Sequence, residues 1–121
     1  MLKPKTTGPQ QCIFCQVAAH ESPAQIEYED ADVMGFWDVN PKAPVHVLVI
    51  PKKHITSVLE LEDQDVTLVG KMVLAAKKVA EKKKISENGY RLVINVGRHS
   101  GQIVEHIHLH LLGGKQLGTM V

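Results

Sequence analysis

The sequence has little from which to build a membrane protein, a secreted scaffold or a nucleic-acid binder. No run of apolar residues approaches the roughly 20 that span a bilayer, and the polar segment 1–11 lacks the apolar core of a signal peptide. The net charge is only +1, so no strong field is available to hold a phosphate backbone. We therefore expect a cytoplasmic protein that binds neither membranes nor nucleic acid.

Cysteine is also scarce, with Cys12 and Cys15 as the only two in 121 residues. A disulfide scaffold is not expected from so few cysteines in a reducing compartment. The Cys-x-x-Cys spacing has three interpretations, namely a redox pair, two ordinary buried cysteines or half of a zinc site. The βαβ setting that a thioredoxin-like redox pair requires is missing from the sequence pattern, and the other two interpretations stay open.

The length suits one domain with one core, because two domains of this size would bury too little surface. We expect residues 12–121 to form this domain and residues 1–11 to form a flexible tail. One long helix is predicted over residues 64–84, with Asp63 as its N-cap. Its apolar residues form two adjacent rows that require burial: Leu68, Met72, Ala75 and Val79, and beside them Val69, Val73, Ala76 and Ala80.

Strand-like runs surround this helix and alternate with turn residues. A short N-terminal helix is predicted over residues 13–19. The expected strands cover residues 25–29, 33–37, 45–50, 90–96 and 105–112. Antiparallel strands with a helix packed on one face define the α+β class. We expect a five-stranded antiparallel sheet with one long helix.

Three histidines alternate in the last predicted strand. His106, His108 and His110 share one face, about 6.6 Å apart, because side chains alternate along a strand. Two imidazoles at this spacing can bind one metal ion. Alternatively, a mostly neutral imidazole with a pKa near 6.5 can attack phosphorus as a nucleophile. The pattern alone does not choose between these chemistries.

The run His106-Ile107-His108-Leu109-His110-Leu111-Leu112 resembles the motif of the histidine triad (HIT) family. Segments 38–55, 89–95 and 101–102 are similar to the family's upstream segment, penultimate strand and loop. Gly113-Gly114 after the triad resembles the small nucleoside phosphoramidases of the family rather than its dinucleoside-polyphosphate hydrolases. The resemblance covers about residues 12–116 of the chain.

The resemblance implies a nucleotide-binding hydrolase that cleaves purine nucleoside 5′-phosphoramidates or similar monophosphate esters. His108 matches the nucleophile that becomes nucleotidylated, His110 matches a phosphate contact, and His46 matches a fourth histidine that supports the site. Asn95 and Gln102 match polar contacts to the phosphate and the leaving atom. The same resemblance implies a homodimer whose interface includes residues 91–96 and the long helix.

The resemblance also implies a purine pocket. Asp38 matches the carboxylate that accepts both ribose hydroxyls, which suits its two oxygens. The flat apolar walls expected for a purine match Phe14, Phe36 and Val39, with Ile13 beside them and Trp37 at the edge. The nucleotide-binding set is completed by the loop residues Gly101, Gln102, Ile103 and Val104.

The cysteine pair acquires a specific interpretation from the same resemblance. Some HIT proteins and their larger uridylyltransferase relatives hold a structural zinc ion with such a pair and two histidines. The matching histidines here are His54 and His106. The implied ligand set is therefore Cys12, Cys15, His54 and His106, and no metal is required for the chemistry.

Two departures leave the substrate open. Ile103 stands where phosphoramidase relatives often have a serine that helps to protonate the leaving amine, and the chain ends without the aromatic tail of some relatives. A dinucleoside-polyphosphate hydrolase and a regulatory nucleotide-binding protein with little turnover therefore remain alternatives. A hydrolase with catalytic zinc on the three histidines is a third alternative, which a chelator would inactivate rapidly.

Overall fold

The computed structural model describes residues 11–120, so the expected tail lies outside the described residues apart from Gln11. The elements are α1 (Ile13–Ala18), β1 (Ile26–Glu29), β2 (Val33–Trp37), β3 (Val45–Pro51), α2 (Val66–Lys82), β4 (Tyr90–Val93) and β5 (Leu109–Gly113). The five strands form one antiparallel sheet in the order β1-β2-β3-β5-β4. The predicted fold class is confirmed.

Strand β3 is the centre of the molecule, and all seven of its residues are buried. Its pleat divides the core between the two faces of the sheet. Val47 packs with Val79 and Ala80 of α2 on one face, whereas Leu48 packs with Phe14 of α1 on the other. Burial on both faces explains why the strand is apolar throughout apart from His46, rather than alternating.

Helix α2 is shorter than predicted at both ends, and the assignment of Asp63 as its N-cap is wrong. A 3₁₀ turn, Asp63–Asp65, precedes the helix and begins with a capping box in which the Asp65 carboxylate accepts a hydrogen bond from the Glu62 amide at 2.9 Å. Val73 departs from the predicted buried rows, since it is 42% exposed. The buried residues of the helix are Met72, Ala75, Ala76, Val79 and Ala80.

The last two strands are also shorter than predicted, because β4 ends at Val93 and β5 begins only at Leu109. The segment 104–108 leaves the ladder and lies against the chain that follows β3. There the Ile107 amide donates a hydrogen bond to the Ile55 carbonyl at 2.6 Å. Ile107, like Leu109 and Leu111, is buried as predicted, but His106 and His108 are buried too, so the expected alternation, with all three histidines on one face, does not hold through residues 105–108. The histidine run is therefore only partly in the sheet, because residues 104–106 bend before the strand begins at Leu109.

None of the helices within residues 11–120 combines the length and apolar character that crossing a bilayer demands. The expected location and the expected lack of nucleic-acid binding stay predictions.

Candidate active site

A cleft of about 860 Å³ opens on the face of the sheet opposite α2. Phe14 and Phe36 meet edge to face in its wall, with ring centroids 5.4 Å apart. The cleft collects most of the residues that the sequence predicted for a nucleotide: Ile13, Phe14, Phe36, Trp37, Asp38, Val39, Asn95, Gly101, Ile103, Val104, His108 and His110.

His108 is held in one tautomer by its own backbone. Its Nδ1 lies 2.7 Å from the carbonyl oxygen of His106. A carbonyl only accepts hydrogen bonds, so Nδ1 carries the proton and Nε2 keeps its lone pair. Burial lowers the pKa of the His108 ring, although this hydrogen bond and Asp38 oppose the shift. His108 thus presents a neutral ring with a lone pair at the cleft, which is what a nucleophile requires.

His110 receives the opposite tautomer through His46. The Lys42 amide donates to His46 Nδ1 at 3.0 Å, so the proton of the neutral His46 ring lies on Nε2. That nitrogen is 2.9 Å from His110 Nδ1, which must accept. The His110 proton is therefore on Nε2, a buried atom with no hydrogen-bond partner among residues 11–120. The Lys42 amide thereby determines, through His46, that His110 Nε2 is a donor. The His110 and His108 ring centroids are 5.0 Å apart.

Burial keeps this histidine pair neutral. It lowers the pKa of His110 to about 4, with the neighbouring His108 and His46 adding to the effect. Burial also lowers the pKa of His46, against an opposing contribution from Asp38. All three rings are consequently uncharged near pH 7, and each proton position is determined by hydrogen bonding.

Asp38 lies beside the histidines in the wall of the cleft. One carboxylate oxygen accepts from the Asn40 amide at 2.8 Å, and the other lies 3.4 Å from His46 Nε2. Its side chain is 20% exposed and lines the cleft. The carboxylate is thus oriented by the β2–β3 turn, with lone pairs still available to hydroxyl donors.

The apolar residues of the rim and edge differ in what they contact. Val39 and Ile103 are 91% and 90% exposed, so both side chains project into solvent at the cleft. Trp37 lines the cleft, but its indole N–H donates to Glu27 at 2.8 Å and the Lys83 ammonium lies 5.4 Å from its ring centroid. The polar contacts of Trp37 therefore tie β2 to β1 and to the end of α2.

Gln102 is placed differently from the other predicted site residues and does not line the cleft. Its side-chain amide donates to the carbonyls of Thr56 and Val104 at 2.8 and 3.0 Å. Its oxygen accepts from the Gly97 amide at 2.8 Å. The structure thus engages Gln102 with the backbone rather than directing it toward a phosphate.

The four predicted zinc ligands meet beneath the cleft. The ligand atoms of Cys12, Cys15, His54 and His106 all lie within 4.8 Å of one another. Cys12 Sγ is 3.2 Å from His106 Nδ1 and Cys15 Sγ is 3.2 Å from His54 Nδ1, distances close to the edges of a tetrahedral zinc site. The donor set therefore fits a closed structural zinc site.

The tautomer of His106 supports the same interpretation. Its Nε2 donates to the Pro51 carbonyl at 2.8 Å, which leaves the Nδ1 lone pair directed at the cysteines. His106 is fully buried and turned away from the cleft that His108 and His110 line. The three triad histidines therefore do not form one ligand set, which argues against catalytic zinc shared among them.

Sequence reasoning missed the backbone groups that determine these tautomers. The Lys42 amide, the Pro51 carbonyl and the His106 carbonyl act through atoms that every residue type carries. The one feature of the sequence that indicates such a contact is the short spacing between Lys42 and His46, which allows the Lys42 amide to reach the His46 ring.

Comparison with known proteins identifies the relatives of this chain. A family model described as scavenger mRNA decapping enzyme C-term binding matches residues 11–120. The purine nucleoside phosphoramidase of Escherichia coli (strain K12) is 43% identical over 112 residues, which cover 93% of this chain and 94% of that protein. A HIT family hydrolase from Legionella pneumophila Philadelphia 1 has a TM-score of 0.88 at 47% identity, covering 89% of this chain and 96% of that one.

A further solved structure bears on the cysteine and histidine cluster. It is a Zn-bound histidine triad family protein from Mycobacterium smegmatis, with a TM-score of 0.78 and 30% identity. The alignment covers 89% of this chain and 78% of that one.

The fold, the cleft and these relatives define a small α+β nucleotide-binding hydrolase. The chain belongs to the histidine triad family, because the family model spans nearly all of it and the identity with relatives extends over most of both chains. The resemblance inferred from the histidine run is confirmed.

Ring tautomers can be measured directly by ¹⁵N-edited NMR of the histidine side chains. At pH 7 we expect neutral rings, with the proton on Nδ1 of His108 and on Nε2 of His110. His110 should stay neutral down to about pH 4. Replacing His46 by Phe should allow His110 both tautomers, because the donor to its Nδ1 is lost. A proton on Nδ1 of His110 in the unsubstituted protein would contradict the assignment.

Proposed function

We propose that this protein hydrolyses purine nucleoside 5′-phosphoramidates through a covalent nucleotidyl-His108 intermediate. The observation that carries the proposal is the pair of opposite tautomers, with a lone pair on His108 Nε2 and a proton on His110 Nε2, in rings whose centroids are 5.0 Å apart. Attack on a phosphoryl group requires such a nucleophile together with a donor to the phosphoryl oxygens. The name of the E. coli relative supports the purine nucleoside and the P–N bond.

The first chemical step transfers the nucleotide to the enzyme. The His108 Nε2 lone pair forms a bond to phosphorus as the P–N bond to the amine breaks. The departing nitrogen takes that electron pair and a proton from solvent, because Ile103 offers no hydroxyl to supply one. His110 Nε2–H donates to a phosphoryl oxygen, and the His106 carbonyl stabilises the positive charge that develops on the His108 ring.

Water completes the reaction. Its oxygen attacks phosphorus, the Nε2–P bond breaks and its electron pair returns to His108. A nucleoside monophosphate leaves, the water proton passes to solvent, and the ring is again neutral. Phosphoryl transfer of this kind depends chiefly on positioning and electrostatic stabilisation, which the backbone-held tautomers provide in advance.

Substitution of the nucleophile tests the proposal. His108→Ala should abolish turnover of adenosine 5′-phosphoramidate, while affinity for adenosine monophosphate survives because the pocket remains. The matched control is His20→Ala, since His20 is a histidine paired with Glu29 away from the cleft. A steady-state assay retaining more than about a tenth of the rate in His108→Ala would remove the nucleophile assignment.

Asp38 is proposed to bind the ribose diol. Asp38→Ala should weaken binding of ribonucleotides much more than of 2′-deoxyribonucleotides, by roughly 1.5–3 kcal/mol for each charge-assisted hydrogen bond lost. Titration calorimetry with adenosine and deoxyadenosine monophosphates measures the difference. Asp32→Ala serves as the control, because Asp32 pairs with Lys71 at the surface. Equal weakening for both sugars would make Asp38 a purely structural turn residue.

We further propose one structural zinc ion per chain on Cys12, Cys15, His54 and His106. Burial and the adjacent Cys12 raise the pKa of the Cys15 thiol to about 12. A bound zinc ion would stabilise the deprotonated form of this thiol, because zinc binds thiolates. The M. smegmatis relative is described as Zn-bound, which supports the assignment. Zinc would join the start of α1 to the segment after β3 and to the histidine segment.

Elemental analysis of protein purified without a metal-affinity tag should find about one equivalent of zinc. Replacing Cys12 and Cys15 by Ser should lower the midpoint of thermal unfolding, while turnover at low temperature is largely kept because the ion has no open coordination position. Less than about a tenth of an equivalent, with both thiols titrating freely, would make the cysteines ordinary buried residues.

A homodimer is also proposed. Val66, Gly70, Val73 and Leu74 share one face of α2, and the three apolar side chains among them are 72%, 42% and 56% exposed. β4 lies at an edge of the sheet, where Leu92 is also partly exposed. An exposed apolar helix face and an unpaired edge strand are each typical of an interface.

Sedimentation velocity tests the dimer. The unsubstituted protein should sediment as a dimer at micromolar concentration, and Leu74→Lys should shift it toward the monomer because a charge would be buried at the interface. Leu59→Lys, at an exposed position outside α2, should leave the dimer intact. A monomer in the unsubstituted protein would contradict the proposal.

A further inference from the structure

The carboxamide of Gln102 is committed to three backbone groups. It donates to the Thr56 and Val104 carbonyls and accepts from the Gly97 amide, at 2.8, 3.0 and 2.8 Å. An amide side chain has two N–H donors, and both are used. Gln102 could donate to a phosphate or a leaving nitrogen only after breaking one of these bonds.

These bonds hold one loop in shape. The loop runs from Gly97 to Val104 and reverses at Gly97 and Gly101, whose φ angles of +77° and +90° suit glycine. Gln102 joins its beginning at Gly97 to its end at Val104. Three residues of the loop line the cleft, namely Gly101, Ile103 and Val104, so the Gln102 amide determines the shape of one wall of the site.

The same bonds attach the loop to the support of the nucleophile. Thr56 ends a short segment that already binds the histidine run, since the Pro51 carbonyl accepts from His106 and the Ile55 carbonyl accepts from the Ile107 amide. Gln102 adds a third bond from this segment to the part of the chain before His108. The cleft wall and the histidine run are therefore both hydrogen-bonded to the same stretch of backbone, residues 51–56.

The loop also contains two backbone donors in residues that line the cleft. The amides of Ile103 and Val104 make no hydrogen bond to any group in residues 11–120. Val104 itself is fixed, because its side chain packs against the cluster that contains Phe14. Amides held in advance where phosphoryl charge develops contribute to catalysis only while their loop is rigid.

We propose that Gln102 is a positioning residue that holds the loop 97–104 against Thr56, and that it does not donate to the leaving group. The kinetic part of this inference rests on the proposed phosphoramidase function. Loss of the three bonds would loosen the cleft wall whatever amine departs. Loss of a proton donor would instead slow substrates with a basic leaving amine more than those with a weakly basic one.

The test compares Gln102→Met with the unsubstituted protein on two adenosine 5′-phosphoramidates, one of an alkyl amine and one of aniline. We expect kcat to fall about tenfold for both substrates, because misplacement affects the shared phosphoryl group. Hydrogen–deuterium exchange of the ligand-free protein should become faster in residues 97–104, with a thermal midpoint close to the original. Gln116→Met, at an exposed glutamine outside the cleft, is the control.

Two results would overturn the inference. A loss confined to the alkyl amine substrate, with unchanged exchange in the loop, would make Gln102 a leaving-group donor. A lower thermal midpoint with unchanged kcat would make it a purely structural residue. Gln102→Glu, which keeps the bond from Gly97, gives the same comparison if the methionine variant folds poorly. If the unsubstituted protein cleaves neither substrate, the proposed function fails. The inference about Gln102 is then tested by exchange in residues 97–104 and by affinity for adenosine monophosphate, each compared between Gln102→Met and the unsubstituted protein.

Discussion

The hydrogen bond from His108 Nδ1 to the His106 carbonyl, 2.7 Å long, is the constraint on which the site depends. It places the lone pair of His108 on Nε2 without requiring a carboxylate partner. The tautomer of His110 is set indirectly by another backbone group. The Lys42 amide fixes the tautomer of His46, and His46 in turn fixes that of His110. Backbone groups cannot titrate, so the hydrogen bonds from the Lys42 amide and to the His106 carbonyl keep their direction at any pH at which the rings are neutral.

Neutrality of the site follows from burial. A low local dielectric penalises charged imidazole, and Asp38 only partly opposes this for His46, His108 and His110. His108 is therefore neutral near pH 7, and in the proposed mechanism it acquires positive charge only during reaction. That charge develops beside the His106 carbonyl, where the ground-state hydrogen bond already has the geometry needed to stabilise it.

The support of His108 lies mostly outside the sheet. Because β5 begins at Leu109, the segment that contains His106 and His108 is held by the backbone after β3, through Pro51 and Ile55. The cysteine and histidine cluster also holds this segment, because Cys12 at the start of α1 contacts His106. Leaving the ladder frees these residues from the regular pleat, so His106 can turn to the cluster while His108 faces the cleft.

Much of this molecule was predictable from periodicity. The pattern in residues 105–112 correctly predicted buried Ile107, Leu109 and Leu111. Helical spacing correctly predicted five buried residues of α2, whereas Leu68 and Val69 are half-buried and Val73 is exposed. The length of the last strand was overestimated, because the alternating sequence pattern begins at Glu105, whereas ladder pairing begins only at Leu109. The tautomers and the contacts of Gln102 could not be predicted, since their partners are backbone atoms brought together by the fold.

Trapping of the covalent intermediate tests the central claim most directly. Enzyme mixed with adenosine 5′-phosphoramidate, quenched rapidly at alkaline pH and digested, can be analysed by mass spectrometry. The account predicts one adenylyl group, located on the His108 side chain and formed at a rate no slower than turnover. An adduct on another residue, or steady turnover with no adduct at any quench time, would contradict it.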